Sequence, residues 1–182
     1  MFYDYIQHPL YRFSSDGPTL AKAVLPRLLR RISYHSPFHM IDLCAGCGVV
    51  GLEILSLLPC PYDRQLIVDF CEIREEFFPI ITANAQRCRS QINQIYSLPL
   101  GQLLASHPQL ARKYDLVVAN PPYFFSGSGR LSPKNALRNS SHFFLEDSPQ
   151  VFLKTGLDLL QENGEFLWII KNEPSLIRRW QL

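Results

Sequence analysis

The sequence lacks the features that would place it in a membrane or in a disulfide-rich class. Hydrophobic residues make up 47% of its 182 residues, but no apolar run approaches the roughly 20 residues of a membrane span. All five cysteines precede residue 90 and lie in strand-like or helix-like sequence, which argues against a disulfide scaffold. The first residues carry neither the basic region nor the apolar core of a signal peptide. We therefore expect a cytoplasmic protein with reduced thiols.

The sequence also lacks a strong charge of either sign. Lys and Arg number 18 against 16 acidic residues, which gives a net charge of +2. This balance permits a nucleic-acid partner without requiring one. Cys44 and Cys47 have two residues between them, but no second pair of Cys or His lies nearby in the sequence, so we predict no metal site. The length favours one domain.

The hydrophobic pattern predicts alternating strands and helices. Strands are expected at 38–43, 65–71, 92–97, 114–119 and 164–171, and helices at 19–32, 49–58, 74–88, 148–160 and after Pro174. Pro79 removes a backbone donor from the middle of the predicted helix 74–88. The segment 120–141 is rich in Pro, Gly, Ser and Asn and is expected to be a long loop. This order predicts a doubly wound α/β domain with five parallel strands and ligands at their carboxyl ends.

A glycine-containing loop follows the first predicted strand. Gly46 and Gly48 allow a sharp turn and a close approach of a ligand to the main chain. Asp42 precedes them, and Glu72 ends the second strand, where α/β nucleotide sites bind ribose hydroxyls. The alternative for Glu72 is a cap at a helix N-terminus. No Gly-Lys-Ser/Thr follows, so the loop is not a P-loop.

The sequence Asn-Pro-Pro-Tyr follows the fourth predicted strand. The two prolines restrict the backbone at Asn120, whose amide offers an acceptor and a donor that suit a planar amine. Tyr123, with Phe124, can stack on a flat base. The alternative is a rigid turn with a capping Asn.

Three segments resemble the class I methyltransferases that use S-adenosylmethionine. Residues 42–48 are similar to their cofactor loop, usually Asp-x-Gly-x-Gly-x-Gly, with Cys44 in place of the first Gly. Residues 120–123 resemble the Asn-Pro-Pro-Tyr motif of amine and amide N-methyltransferases. Residues 7–20 are similar to the segment that precedes the fold in bacterial valine-tRNA (adenine-N6) methyltransferases, the family that the whole chain resembles most.

The resemblance implies a Rossmann-like fold, a cofactor and a set of site residues. The usual sheet has seven strands, so its two C-terminal strands are expected to be missing from this chain. The cofactor would be S-adenosylmethionine, bound by Asp16, Asp42, Cys44, Gly46, Gly48, Glu72 and Asn120. Catalysis would rest on Asn120, Pro121 and Tyr123, because the Asn side chain and the first Pro carbonyl accept hydrogen bonds from the target amine. Substrate would contact Pro122, Tyr123, Phe124, Arg130, Lys134 and Arg138.

These assignments predict one methyltransferase domain over residues 1–182. It would comprise a lead-in segment and helix at 1–33, a cofactor-binding core at 38–171 and a terminal helix at 172–182. The implied reaction methylates the N6 amine of adenine in RNA, with tRNA near the anticodon as the expected substrate. Two alternatives stay open: a glutamine N5-methyltransferase of the release-factor type, and a non-catalytic cofactor-binding relative, which Cys44 and the missing strands favour. An open sheet edge would also admit a second copy or a partner subunit.

Overall fold

A five-stranded parallel sheet forms the centre of the molecule, as the sequence predicts. The computed structural model describes residues 4–9, 13–33, 35–88, 92–122, 124–125, 143–144 and 147–170. Its strands are β1 (Phe38–Leu43), β2 (Leu66–Cys71), β3 (Gln94–Tyr96), β4 (Tyr114–Ala119), β5 (Phe124–Phe125), β6 (Phe143–Phe144) and β7 (Leu160–Trp168). The order across the sheet is β3-β2-β1-β4-β7, and every neighbouring pair is parallel. β5 and β6 form a separate two-stranded pair.

Helices cover both faces of the sheet. They are α1 (Asp16–Arg31), α2 (Val49–Leu57), α3 (Phe78–Arg87), α4 (Leu100–Ser106) and α5 (Pro149–Leu159). Side chains alternate across each strand, so Met40 and Phe70 pack beneath α1, α2 and α3, whereas Ile41 and Val117 pack beneath α4 and α5. Among the helices that the structure describes, none has the combination of length and hydropathy needed to cross a membrane.

Several element boundaries differ from the sequence prediction for local reasons. The predicted helix 74–88 is a short 3₁₀ turn at Glu75–Phe77 followed by α3. Pro79 therefore lies in the first turn of α3, where its missing donor is tolerated. Ser148 caps α5, since its Oγ accepts from the Val151 N–H at 3.2 Å. The predicted helix after Pro174 falls outside the described residues.

The last strand of the sheet begins earlier than predicted. β7 begins at Leu160 rather than at Gly164, and its register against β4 shifts between Tyr114 and Leu116. Asn163 adopts a φ of 66° within this stretch. The turn-like sequence Glu-Asn-Gly is thus accommodated as an irregularity inside the strand rather than before it.

Candidate functional site

The strand register brings three predicted site residues to one edge of the sheet. Leu43 of β1 is level with Cys71 of β2 and with Ala119 of β4. The residues that directly follow these three strand ends are Cys44, Glu72 and Asn120. Their convergence at the carboxyl edge is the arrangement that the sequence predicts for a ligand site.

The loop between β1 and α2 is wound in a left-handed backbone conformation. Cys44, Gly46 and Gly48 have φ values of 56°, 54° and 79°. Glycine adopts such values without strain, whereas a residue with a Cβ does so at a cost. Cys44 therefore adopts a left-handed conformation that favours Gly, in spite of its side chain.

Glu72 holds this glycine loop against the end of β2. Its Oε2 accepts from the Gly46 N–H at 2.8 Å, and its Oε1 accepts from the Arg74 N–H at 3.1 Å. Burial raises the pKa of Glu72, and the two backbone N–H groups oppose that rise. The bond to Arg74 lies just before the 3₁₀ turn, so the alternative of a contact at a helix N-terminus stays open. Each carboxylate oxygen retains a further lone pair, so Glu72 can still accept a ribose hydroxyl. Ribose binding by Glu72 stays a prediction.

Asp42 lies inside the fold, beneath the first turn of α2. It is fully buried, and its Oδ2 accepts from the Gly51 N–H at 2.9 Å. Among the described residues its Oδ1 has no hydrogen-bond partner. Burial raises the pKa of Asp42 to about 7, the Gly51 N–H lowers it, and the nearby Glu72 carboxylate raises it further.

Gly51 is the reason that α2 can approach the sheet so closely. A Cβ at this position would lie 2.7 Å from Cε1 of Phe70 and 3.3 Å from Oδ2 of Asp42. Any larger residue would displace the ring or the carboxylate. The third glycine of the loop region thus has a packing role, which fixes α2 and its N-terminal turn above Asp42.

The Asn-Pro-Pro segment lies at the end of β4. Asn120 is half-buried, Pro121 is buried and Pro122 is half-buried. Tyr123, Arg130, Lys134 and Arg138 lie outside the described residues, and of Phe124 only the main chain in β5 is described. The predicted stacking and phosphate contacts therefore stay predictions.

Asp16 begins α1 close to the start of α2. Its Oδ2 accepts from the Ser14 hydroxyl at 2.6 Å. The next residue, Gly17, packs so tightly that a Cβ on it would lie 3.1 Å from Cγ1 of Val49. Since Val49 directly follows Gly48, the start of α1 lies beside the glycine loop, as a cofactor role for Asp16 requires.

Two side chains that sequence analysis did not select organise the surroundings of the site. Asn84 of α3 donates from Nδ2 to the carbonyl of Cys47 in the glycine loop at 3.0 Å. Asp147 accepts from the N–H groups of Leu100 and Gly101 at 2.8 and 3.0 Å, at the start of α4. No motif marks either residue, because their partners lie 37 to 47 positions away in the sequence.

The described residues fit the chemistry of S-adenosylmethionine. That molecule carries a sulfonium and an ammonium group, both cationic, and two ribose hydroxyl donors. The site offers two buried carboxyl groups, Asp42 and Glu72, and Oδ1 of Asp42 is a buried acceptor without a partner among the described residues. A left-handed glycine loop lies beside them, and glycine permits a close approach of a ligand to the main chain.

Known proteins that are similar to this chain include methyltransferases. A curated tRNA1(Val) (adenine(37)-N6)-methyltransferase from Pedobacter heparinus is 27% identical over 139 residues, which are 72% of this chain and 51% of that protein. The chain therefore spans about half the length of this relative. The structure of SMU.776 complexed with SAH matches 92% of this chain and 39% of its own with a TM-score of 0.61 at 10% identity.

A second solved structure is similar over most of the chain. TrmN from Thermus thermophilus matches with a TM-score of 0.54 at 20% identity, over 92% of this chain and 45% of its own. At such identities these two structures establish the fold alone, and they confirm the predicted Rossmann-like class I methyltransferase architecture.

A protein-family model matches residues 65–175, which is more than half of the chain. The matched range begins just before β2 and includes both Glu72 and Asn120. The resemblance to methyltransferases inferred from the sequence is thereby confirmed. The chain belongs to the Eco57I restriction-modification methylase family.

Proposed function

We propose that this chain transfers a methyl group from S-adenosylmethionine to the N6 amine of an adenine in RNA, with tRNA near the anticodon as the preferred substrate. The observation that carries the proposal is the strand register, which brings Asn120 to the same edge as Cys44 and Glu72. A proposed amine-binding residue and a proposed cofactor loop are thus neighbours. Family membership supports the reaction class.

In this proposal, one group of residues would bind the cofactor and another would bind the target amine. S-adenosylmethionine, when bound, supplies an electrophilic methyl group on a sulfonium centre. Glu72 would accept the ribose hydroxyls, and the glycine loop would contact the rest of the cofactor through its main chain. Asn120 and the carbonyl of Pro121 would accept hydrogen bonds from the target amine and fix its orientation.

The exocyclic amine of adenine requires such hydrogen bonds in order to react. The lone pair of the adenine N6 is delocalised into the ring, which makes the nitrogen a poor nucleophile. Two acceptors on its hydrogens favour a pyramidal nitrogen with its lone pair directed at the methyl group. The rate then depends on positioning and electrostatic stabilisation. The buried Pro121 suits this role, because its ring restricts the backbone that carries the acceptor carbonyl.

Two observations favour RNA over a protein substrate. The curated relative is named as a tRNA adenine-N6 methyltransferase, and the lead-in segment at residues 7–20 resembles the same group. Tyr123 would stack on a flat base, a contact worth about 1–3 kcal/mol per base. A glutamine side chain, the substrate of the alternative enzyme, offers less area for stacking.

The direct test is a methyl-transfer assay with labelled S-adenosylmethionine and three acceptors. These are unmodified tRNA, a release-factor protein, and duplex DNA, which is included because the matching family model is described as a restriction-modification methylase. The variants are Asn120→Ala and, as a matched control, Asn93→Ala. Asn93 is also an Asn next to a strand, but it donates to Asp69 at 2.7 Å, just before β3 begins.

We expect methylation of tRNA by the wild-type chain and by Asn93→Ala. Asn120→Ala should lower turnover by about 10²–10³, the scale for loss of one preorganised polar contact, and should change the affinity for S-adenosylhomocysteine far less, because the other six proposed cofactor residues remain. Transfer to the protein or to DNA, without transfer to tRNA, would overturn the RNA assignment. Cofactor binding without transfer to any acceptor would favour the non-catalytic relative.

A further inference from the structure

The N-terminal segment, residues 4–9, is bound to the rest of the protein through a buried side-chain amide. Asn84 of α3 is fully buried. Its Oδ1 accepts from the Ile6 N–H at 2.7 Å, and its Nδ2 donates to the Ile6 carbonyl at 3.0 Å. Asn84 and Ile6 are 78 positions apart in the sequence. The side-chain amide satisfies both main-chain groups of Ile6, as the backbone of a neighbouring strand would.

The same amide reaches the glycine loop. Nδ2 of Asn84 also donates to the carbonyl of Cys47 at 3.0 Å, and Cys47 lies between Gly46 and Gly48 in the left-handed turn. One NH₂ group therefore binds Ile6 on one side and the loop on the other. Both of its hydrogens and its oxygen have partners, so the bond to Ile6 helps to fix the orientation in which Asn84 holds Cys47.

A second buried contact holds the N-terminal segment. The Tyr5 hydroxyl donates to Oε2 of Glu53 at 2.6 Å, and Glu53 is a buried residue of α2. The Tyr5 ring also meets Phe13 edge-on, with 6.0 Å between centroids. Glu53 lies in the helix that follows the glycine loop, so this contact positions the segment next to the loop without touching the loop itself.

We propose that Asn84 is a positioning residue that couples the N-terminal segment to the glycine loop, so that docking of the segment holds Cys47 and its neighbours in the cofactor-binding conformation. This proposal rests on the proposed cofactor site, and it adds a control element to it. Contacts made by residues 4–9 should then change affinity for the cofactor, although the side chains that hold the segment belong to α2 and α3.

Three variants of the full chain separate coupling from simple loss of stability. Asn84→Ala removes all three bonds of the amide. Tyr5→Phe removes the bond to Glu53 but leaves Asn84 intact, and it remains informative if Asn84→Ala does not fold. Thr155→Val is the matched control, because Thr155 is also buried and donates to the Leu100 carbonyl at 3.2 Å, on the opposite face of the sheet.

The first measurement is hydrogen exchange of the protein without ligand. The Gly46 and Gly48 amides report on the loop, since they donate to Glu72 Oε2 and to the Ala45 carbonyl at 2.8 Å each. We expect faster exchange of both amides in Asn84→Ala, a smaller increase in Tyr5→Phe and wild-type exchange in Thr155→Val. Loop exchange in the first two variants that matches Thr155→Val would overturn the proposal.

The second measurement is calorimetric titration with S-adenosylhomocysteine. Asn84→Ala should weaken binding about 10-fold, within the range typical of coupling between two sites. Tyr5→Phe should weaken binding only while Asn84 is present, so the double variant should bind like Asn84→Ala; purely additive losses would contradict coupling. If the wild-type chain does not bind the probe, the proposed function fails, but the exchange experiment still decides the coupling.

Discussion

At the scale of single residues, Asp42 is a carboxyl group whose pKa the fold raises strongly. Its folded pKa is about 7, compared with about 3.9 for an unperturbed Asp. Between these values the folded state binds a proton that the unfolded state has released. Stability should therefore fall as pH rises through this window, by up to about 1.4 kcal/mol per pH unit. Glu72, whose pKa is also raised, acts in the same direction.

Replacing Asp42 by Asn should remove much of this pH dependence. The amide oxygen of the new side chain can keep the bond from the Gly51 N–H without a charge, so the variant needs no bound proton here at neutral pH. We expect urea unfolding free energies of Asp42→Asn to exceed wild type near pH 7 and to change less between about pH 4.5 and pH 7. Asp63→Asn, at a position outside the core, is the control. Parallel pH curves for Asp42→Asn and wild type would refute the assignment.

At the scale of elements, long apolar runs made the strands predictable. β1 and β4 have the predicted bounds, and β2 begins one residue later than expected, because β-branched and aromatic residues fit a buried strand. The predicted boundaries are wrong where turn-forming residues lie inside an element. Pro79 and Gly164 both suggest interruptions, although the first lies in the first turn of α3 and the second lies within β7.

The placement of the candidate site residues was predictable where it depends on strand ends and unpredictable where it depends on contacts between residues far apart in the sequence. Cys44, Glu72 and Asn120 each follow a strand, so a parallel sheet was enough to predict that they share an edge. Asn84 and Asp147 act on main-chain groups far away in the sequence. Nothing in the local pattern of either residue distinguishes it from a surface Asn or Asp.

Asp147 should stabilise the junction of α4 and α5. It accepts from two N–H groups at the start of α4 and lies two residues before α5 begins. Asp147→Ala should lower the free energy of unfolding by about 1–2 kcal/mol, the range for loss of a helix cap, as measured by urea denaturation. Asp147→Asn should recover part of the loss, since its amide retains one acceptor oxygen. Equal losses for Ala and Asn would show that the second acceptor oxygen is essential and would contradict partial rescue.

At the scale of the whole molecule, β7 is the edge strand at the C-terminal end of the strand order β3-β2-β1-β4-β7. In the part of the chain that the structure describes, β7 pairs with β4 alone. The ring of Trp168 packs against Phe166, with centroids 4.7 Å apart, and against Phe152 of α5. The relatives reported above are longer than this chain, which covers 51%, 39% and 45% of their lengths. Among the described strands this side of β7 has no neighbour, so it is the edge at which a second chain would pair.

We predict that β7 pairs with β7 of a second copy at high protein concentration. The Ile169 N–H donates to the Ala119 carbonyl of β4 at 3.1 Å. Amides alternate in direction along a strand, so those of Phe166 and Trp168 point away from β4, on a side where no strand among the described residues pairs with β7. Sedimentation over a concentration series should then give a mass that rises above the 21.0 kDa of one chain. Exchange of the Phe166 and Trp168 amides should slow over the same range, while that of the Val117 amide, inside the sheet, should not change. A constant mass of one chain with unchanged exchange at both amides would exclude pairing through β7.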